Sequence, residues 1–160
     1  MKKLFLLPVI ALFSLVGCGG QQGGGNGGGS GKNDGKSEAT AYTAAEAIAL
    51  MDQAGSGVIV GKDQQYYVKG VVQTGSTVNA KYHQWYCLLD AAVDGKQFKI
   101  SGATLPDGLN LAEADGALDG KTVVVKGFME LYNNEYKIGY LPAAASPTGA
   151  KFVPAIVSVK

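Results

Sequence analysis

The side chains able to do chemistry in this 160-residue chain are few, and their spacing is unhelpful to catalysis. His83 is the only histidine, and Cys18 and Cys87 are the only cysteines. One imidazole and two distant thiols do not make a zinc ligand set. Asp107, Asp115 and Asp119 come closest to an acidic cluster, but their spacing fits no EF-hand loop. Asp90 reads as a cap for the turn after it, and no nucleophile is spaced against a base. Cys87 sits in the apolar run Trp85-Tyr86-Cys87-Leu88-Leu89, where a buried, inert thiol is expected. The expectation is a non-enzyme with no cofactor and no metal.

What remains is binding chemistry. Aromatic residues stand beside lysines in several places, a pairing suited to stacking on sugars or bases. There is no arginine at all, and the net charge is only +1. Bidentate recognition of phosphate or guanine uses the guanidinium fork, so a dedicated nucleic-acid reader is disfavoured. Gly31-Lys32-Asn33 lacks the hydroxyl and the strand–helix setting of a phosphate loop.

The elements that would position these groups are mostly strands. The run 66–74 is rich in β-branched and aromatic residues around Gly70, which predicts a strand bent at that glycine. Its Val68-Lys69-Gly70 signature returns as Val125-Lys126-Gly127. Further strands are predicted over 83–90, 96–101, 121–131 and 135–141, with a hairpin turn at Asn133-Asn134. Residues 75–81 read as a polar loop, and Asn110-Leu111-Ala112-Glu113 as a single helical turn. A last strand over 152–159 is confined to a sheet edge by Pro154. Alternation puts Val68, Val72, Tyr86, Leu88, Phe98, Ile100, Val123, Val125 and Ile138 inside. Before the strands, Thr43-Ala44-Ala45-Glu46 is a capping box opening a helix over 44–54, with Gly55 as its stop.

Residues 1–17 read as a secretory leader: Lys2 and Lys3, then an apolar run over 4–16 too short to span a bilayer. The leader ends Leu15-Val16-Gly17-Cys18, which resembles the bacterial lipobox. That resemblance implies cleavage before Cys18 and acylation of its sulfur, and two or more acyl chains anchor stably. Without Lys2 and Lys3, the remaining lysines nearly balance the 13 acidic residues. Residues 19–35 contain ten glycines in 17 positions and read as a flexible tether reaching about 20–25 Å. The expected organisation is leader 1–17, lipidated Cys18 with a disordered tether to residue 41, and one domain over 42–160. Gly19-Gly20-Gln21-Gln22, directly after Cys18, contains no acidic residue, which by resemblance to bacterial lipoproteins slightly favours a periplasm-facing location over the cell surface.

Five strands with a helical gap before the fourth resemble the oligonucleotide/oligosaccharide-binding (OB) fold, a five-stranded Greek-key barrel. Tyr42-Thr43-Ala44-Ala45-Glu46-Ala47-Ile48, the Val68-Lys69-Gly70 strand, Tyr86-Cys87-Leu88-Leu89-Asp90 and the Val125-Lys126-Gly127 strand are similar to those of uncharacterised OB-fold lipoproteins of Gram-negative bacteria. The resemblance implies a mainly β domain: an OB barrel with a short N-terminal helix and an extra C-terminal strand. It also implies a ligand face on the second and third strands, framed by two loops. That face would draw on Tyr67, Lys69, Gln73, His83, Trp85, Gln97 and Lys99, rimmed by Lys81, Tyr82, Tyr132, Asn133 and Asn134. The implied function is a membrane-anchored, extracytoplasmic binding or accessory module for a protein or glycan. A single-stranded nucleic-acid-binding module is the alternative.

Overall fold

A computed structural model describes residues 33–160 apart from Asp63 and Asn110. The leader, Cys18 and most of the glycine-rich stretch lie outside the described residues. The described chain runs β1 (Tyr42–Thr43), α1 (Ala44–Ala54), β2 (Tyr66–Val71), β3 (Thr77–Asn79), β4 (Gln84–Val93), β5 (Lys96–Ala103), β6 (Thr122–Gly127), β7 (Met129–Tyr132), β8 (Glu135–Gly139) and β9 (Ala155–Val159).

Local chemistry starts α1 where the capping box stands. Thr43 Oγ1 accepts from the Glu46 N–H at 3.2 Å, and the Thr43 N–H donates back to Glu46 Oε2 at 2.8 Å. Gly55 closes the helix, its N–H donating to the Met51 carbonyl. Ala44, Ala47, Ile48 and Met51 form the buried stripe, and it packs against β2, β4, β5 and β7. Burial of that stripe, and not propensity, is what holds so short a helix.

The strands form two mixed sheets, ordered β1-β2-β6-β9 and β3-β4-β5-β8-β7. All pairs are antiparallel except β1 with β2 and β5 with β8. Two features link the sheets. An isolated antiparallel bridge, Val72 to Leu89, joins the end of β2 to β4. In addition, β6 runs into β7 with only Phe128 between them. The described residues form no closed barrel; their strands lie in two sheets around one core. Phe128 is buried and stacks edge-on against Phe152 with ring centroids 4.7 Å apart. Strand β9 sits at a sheet edge, and Pro154 lies just before it.

The core contains Val68, Phe98, Ile100, Val123, Val125, Ile138 and Ile156, all fully buried. Strand β4 has the opposite parity to the expected one. Trp85, Cys87 and Leu89 face inward, while Leu88 is exposed and Tyr86 half-buried. The reason is register: Leu89 lies opposite Phe98, and Cys87 opposite Ile100. Directly opposed residues share a face, so the inward Phe98 and Ile100 oblige inward Leu89 and Cys87.

Gly70 lies in an uninterrupted β2–β6 ladder, with no register shift and no positive φ. A Cβ there would lie 2.7 Å from Asp90 Oδ2. Asp90 Oδ1 accepts from the Val71 N–H at 2.8 Å, so this carboxylate ties β4 to β2 and does not cap its own turn. The glycine of one motif and the aspartate of the other are one contact. Gly127 answers to the core: its Cβ would lie 2.6 Å from Ile138 Cγ2.

Two segments behave differently from expectation. Residues 75–81 contain β3, anchored by carboxylates from residues 115–119. Asp119 accepts from the Gly75 and Ser76 N–H groups, each at 2.9 Å, and from the Ser76 hydroxyl. Asp115 accepts from the Val78 N–H. The chain over 111–120 is turns with no helix, and it inserts Leu118 into the core. Residues before 42 also pack on the sheet: the Tyr67 N–H donates to the Gly35 carbonyl at 2.8 Å, and Ala41 is fully buried.

Candidate functional site

The outer face of β4, β5 and β8 carries a run of surface relief. Three recesses of about 510, 290 and 450 Å3 lie along it. The first and second share Tyr86, and the second and third share Leu88 and Lys99, so together they make one trough. Strand pairing explains its shape. Tyr86 lies opposite Ser101, which lies beside Gly139. Two small residues in a row thus leave a low floor between Tyr86 and Tyr140. Tyr82 and Lys151 flank one end, and Asn134 and Tyr136 the other.

Three lysines along this face are paired with carboxylates, whereas Lys151 at the trough's end has no ion-pair partner among the described residues. Lys99 Nζ is 2.8 Å from Glu135 Oε1, Lys96 Nζ 2.6 Å from Asp52 Oδ2, and Lys137 Nζ 3.4 Å from Glu130 Oε1. Asp52 on α1 also accepts from the Tyr136 hydroxyl at 2.7 Å. The hydrogen bonds from Lys96 and Tyr136 hold the Asp52 carboxyl below its ordinary range, and Lys99 does the same for Glu135. The same Asp52 contact raises Lys96 and Tyr136. Asp52, Glu135 and Lys96 are thereby held in their charged forms and Tyr136 in its neutral one. The trough is left with tyrosine faces, amides, hydroxyls and little net field.

The expected site residues divide between several places. Lys99 stands at the trough's centre, and Tyr82 at one end. Lys81 lies over the Tyr82 ring at 5.2 Å, and His83 Nδ1 is 2.6 Å from Glu113 Oε1. Gln97 serves the backbone, donating to the Leu89 and Asp90 carbonyls at 2.9 and 2.6 Å where β4 is bulged. At the far end Asn133 and Asn134 take φ of 49° and 65°, forming the two left-handed positions of the β7–β8 turn. Tyr132 beside them is covered by Lys137 at 5.0 Å. The Gln73 N–H donates to the Leu88 carbonyl, which holds it beside β4.

Three expected residues do not belong. Trp85 is 1% exposed and part of the core, for the register reason given above. Tyr67 and Lys69 lie on the outer face of the other sheet, where Tyr67 pairs with Lys126 and carries its ammonium at 5.3 Å. Conversely, Tyr86, Leu88, Ser101, Tyr140 and Lys151 line the trough and were not anticipated there. The inward Phe98 and Ile100 contained the signal for Tyr86 and Leu88. Nothing local marked Lys151, which arrives on the loop before β9.

Burial pushes the Cys87 thiol up to about 12, so it is no nucleophile at neutral pH. Among the described residues no three His, Cys, Asp or Glu side chains converge as a metal site, and no helix is long and apolar enough to cross a membrane. A scan against models of known protein families matches none of them, and a search of curated proteins finds no match for this chain.

Proposed function

We propose that the protein is a non-enzymatic binding module of OB type, anchored to a bacterial membrane through Cys18 and working outside the cytoplasm. Its ligand is an uncharged oligosaccharide, held along the trough of β4, β5 and β8. Support for the OB reading comes from strand order. Strand β2 neighbours both β6 and, through Val72–Leu89, β4; β5 neighbours β4 and β8; and β8 pairs with β7. That order agrees with a partly open five-stranded Greek-key barrel in which the fourth strand is split at Phe128. The lipobox residues Leu15-Val16-Gly17-Cys18 support the anchor.

The observation that carries the ligand class is the pairing of each central trough lysine with a carboxylate. A polyanion gains affinity by releasing counterions from unpaired cations, and this trough offers little of that. Tyrosine faces beside amides and hydroxyls suit pyranose rings, whose C–H faces stack and whose hydroxyls both donate and accept. Titration with neutral chito-, cello- and malto-oligosaccharides tests this, with single-stranded DNA as comparison. Binding to at least one neutral glycan, unchanged between low and high salt, is expected. Oligonucleotide binding that falls steeply with salt, or no glycan binding across the panel, overturns the glycan reading.

A further inference from the structure

The outer face of the four-stranded sheet has the opposite electrostatic character. A recess of about 480 Å3 on it is lined by Lys36, Gly61, Gln64, Gln65, Tyr67 and Lys126, with no carboxylate among its described lining residues. A second recess of about 420 Å3 lies on the same sheet and includes Lys69, Lys160 and one acid, Glu38. None of these four lysines has an ion-pair partner among the described residues, whereas Lys96, Lys99 and Lys137 on the other sheet all do. Of the described acids nearby, Glu38 forms no ion pair, and two others are hydrogen-bonded to neutral groups. Asp34 accepts the Thr40 hydroxyl and the Lys36 N–H, and Glu46 accepts from Thr43 and Asn33.

The chain also enters the fold on this side. Gly35 hydrogen-bonds Tyr67 of the recess, and Lys36 follows immediately. Only 16 residues separate Cys18 from Gly35 in the sequence, so a lipid on Cys18 would raise the local concentration of bilayer for this domain.

We propose that the outer face of β2 and β6 docks on an anionic lipid surface, with a headgroup phosphate seated between Lys36 and Lys126, so that the trough on the other sheet faces away from the membrane. Val71, 41% exposed on the same face, adds apolar contact at the headgroup boundary. The inference rests on the Cys18 anchor for local concentration, because a few lysines alone bind a bilayer weakly.

The test uses the lipidated full chain on vesicles of phosphatidylcholine, with or without phosphatidylglycerol. A fluorophore is placed at S158C, on the docking face, or at S101C, in the trough; the native Cys87 is buried and stays unlabelled. On phosphatidylglycerol vesicles at low salt, the S158C label should be shielded from aqueous acrylamide and the S101C label open to it. High salt, pure phosphatidylcholine or K36Q/K126Q should remove the shielding, each neutralised lysine weakening docking roughly fivefold. Vesicles that carry the protein but leave both labels equally open overturn the docking face and leave the anchor standing. If the protein does not float with vesicles at all, the anchor has failed. Docking is then judged by sedimentation of the free protein with phosphatidylglycerol vesicles: K36Q/K126Q-sensitive binding supports it, and no binding overturns it. Lysine-dependent binding to single-stranded DNA without vesicle binding also overturns it.

Discussion

Two outer faces of this protein are built from the same ingredients, tyrosine and lysine on strands, and differ in how the charge is handled. On the five-stranded sheet Lys96, Lys99 and Lys137 each meet a carboxylate, and tyrosines line a trough floored by Ser101 and Gly139. On the four-stranded sheet and the chain beside it, Lys36, Lys69 and Lys126 meet none among the described residues, and each of two recesses carries lysines. Residue types alone would rank the faces equally. The pairing of charges separates them: one face suits a neutral ligand whose shape is read, the other an anionic surface whose charge is read.

The comparison breaks most readily at β4, because its two sides were easily confused. Trp85→Ala should cost about 3–5 kcal/mol in denaturant unfolding, as for a large buried aromatic. A cost near zero would put Trp85 on the surface and reverse the strand. Gly127→Val should cost about 1–3 kcal/mol, since its side chain meets Ile138 and Pro154 in the core.

Gly70→Ala should cost about 1–2 kcal/mol by displacing Asp90 from the Val71 N–H. In an Asp90→Ala background the same change should cost much less, and a double-mutant cycle reads the difference. Additive costs would dissolve the contact that joins the two motifs.

Smaller effects separate the faces themselves. Tyr86→Ala should weaken glycan binding about tenfold, as for loss of one stacking platform, with little change in stability. Tyr67→Ala and Lys69→Ala should leave glycan binding unchanged. Acid offers a milder test of the loop beneath the trough's edge. The Ser76 hydroxyl, with the Gly75 and Ser76 N–H groups, holds the Asp119 carboxyl below its ordinary 3.8. A lowered native value means the contribution is present above that range and is lost as pH falls through the native value. Asp119→Asn should therefore flatten the acid limb of the stability curve and leave neutral-pH glycan binding in place.

Much of the fold was legible in residues whose signals are local. The capping box at Thr43 and Glu46 and the stop at Gly55 delimit α1 without reference to anything else. Asn133-Asn134 supplies both left-handed positions of its turn. The failures lie where the deciding partner is far away in sequence. Trp85-Tyr86-Cys87-Leu88-Leu89 is apolar at every position, so its parity is set only by pairing with Phe98 and Ile100. Strand β3 is short and polar, and it is ordered by Asp115 and Asp119, around 40 residues on. The role of Gly70 follows from Asp90, a side chain on another strand. The candidate site suffered the same fate: the aromatic-and-lysine chemistry was visible, but which sheet face each residue joins depends on long-range register.

The most direct measurement is chemical-shift mapping of backbone amides during titration with the tightest-binding neutral oligosaccharide of the panel. The predicted perturbations centre on Tyr86, Ser101, Gly139 and Tyr140 and do not change with salt. Perturbations centred on Tyr67, Lys69 and Lys126, or ones that vanish as salt is raised, would contradict the assignment of the trough as the ligand face.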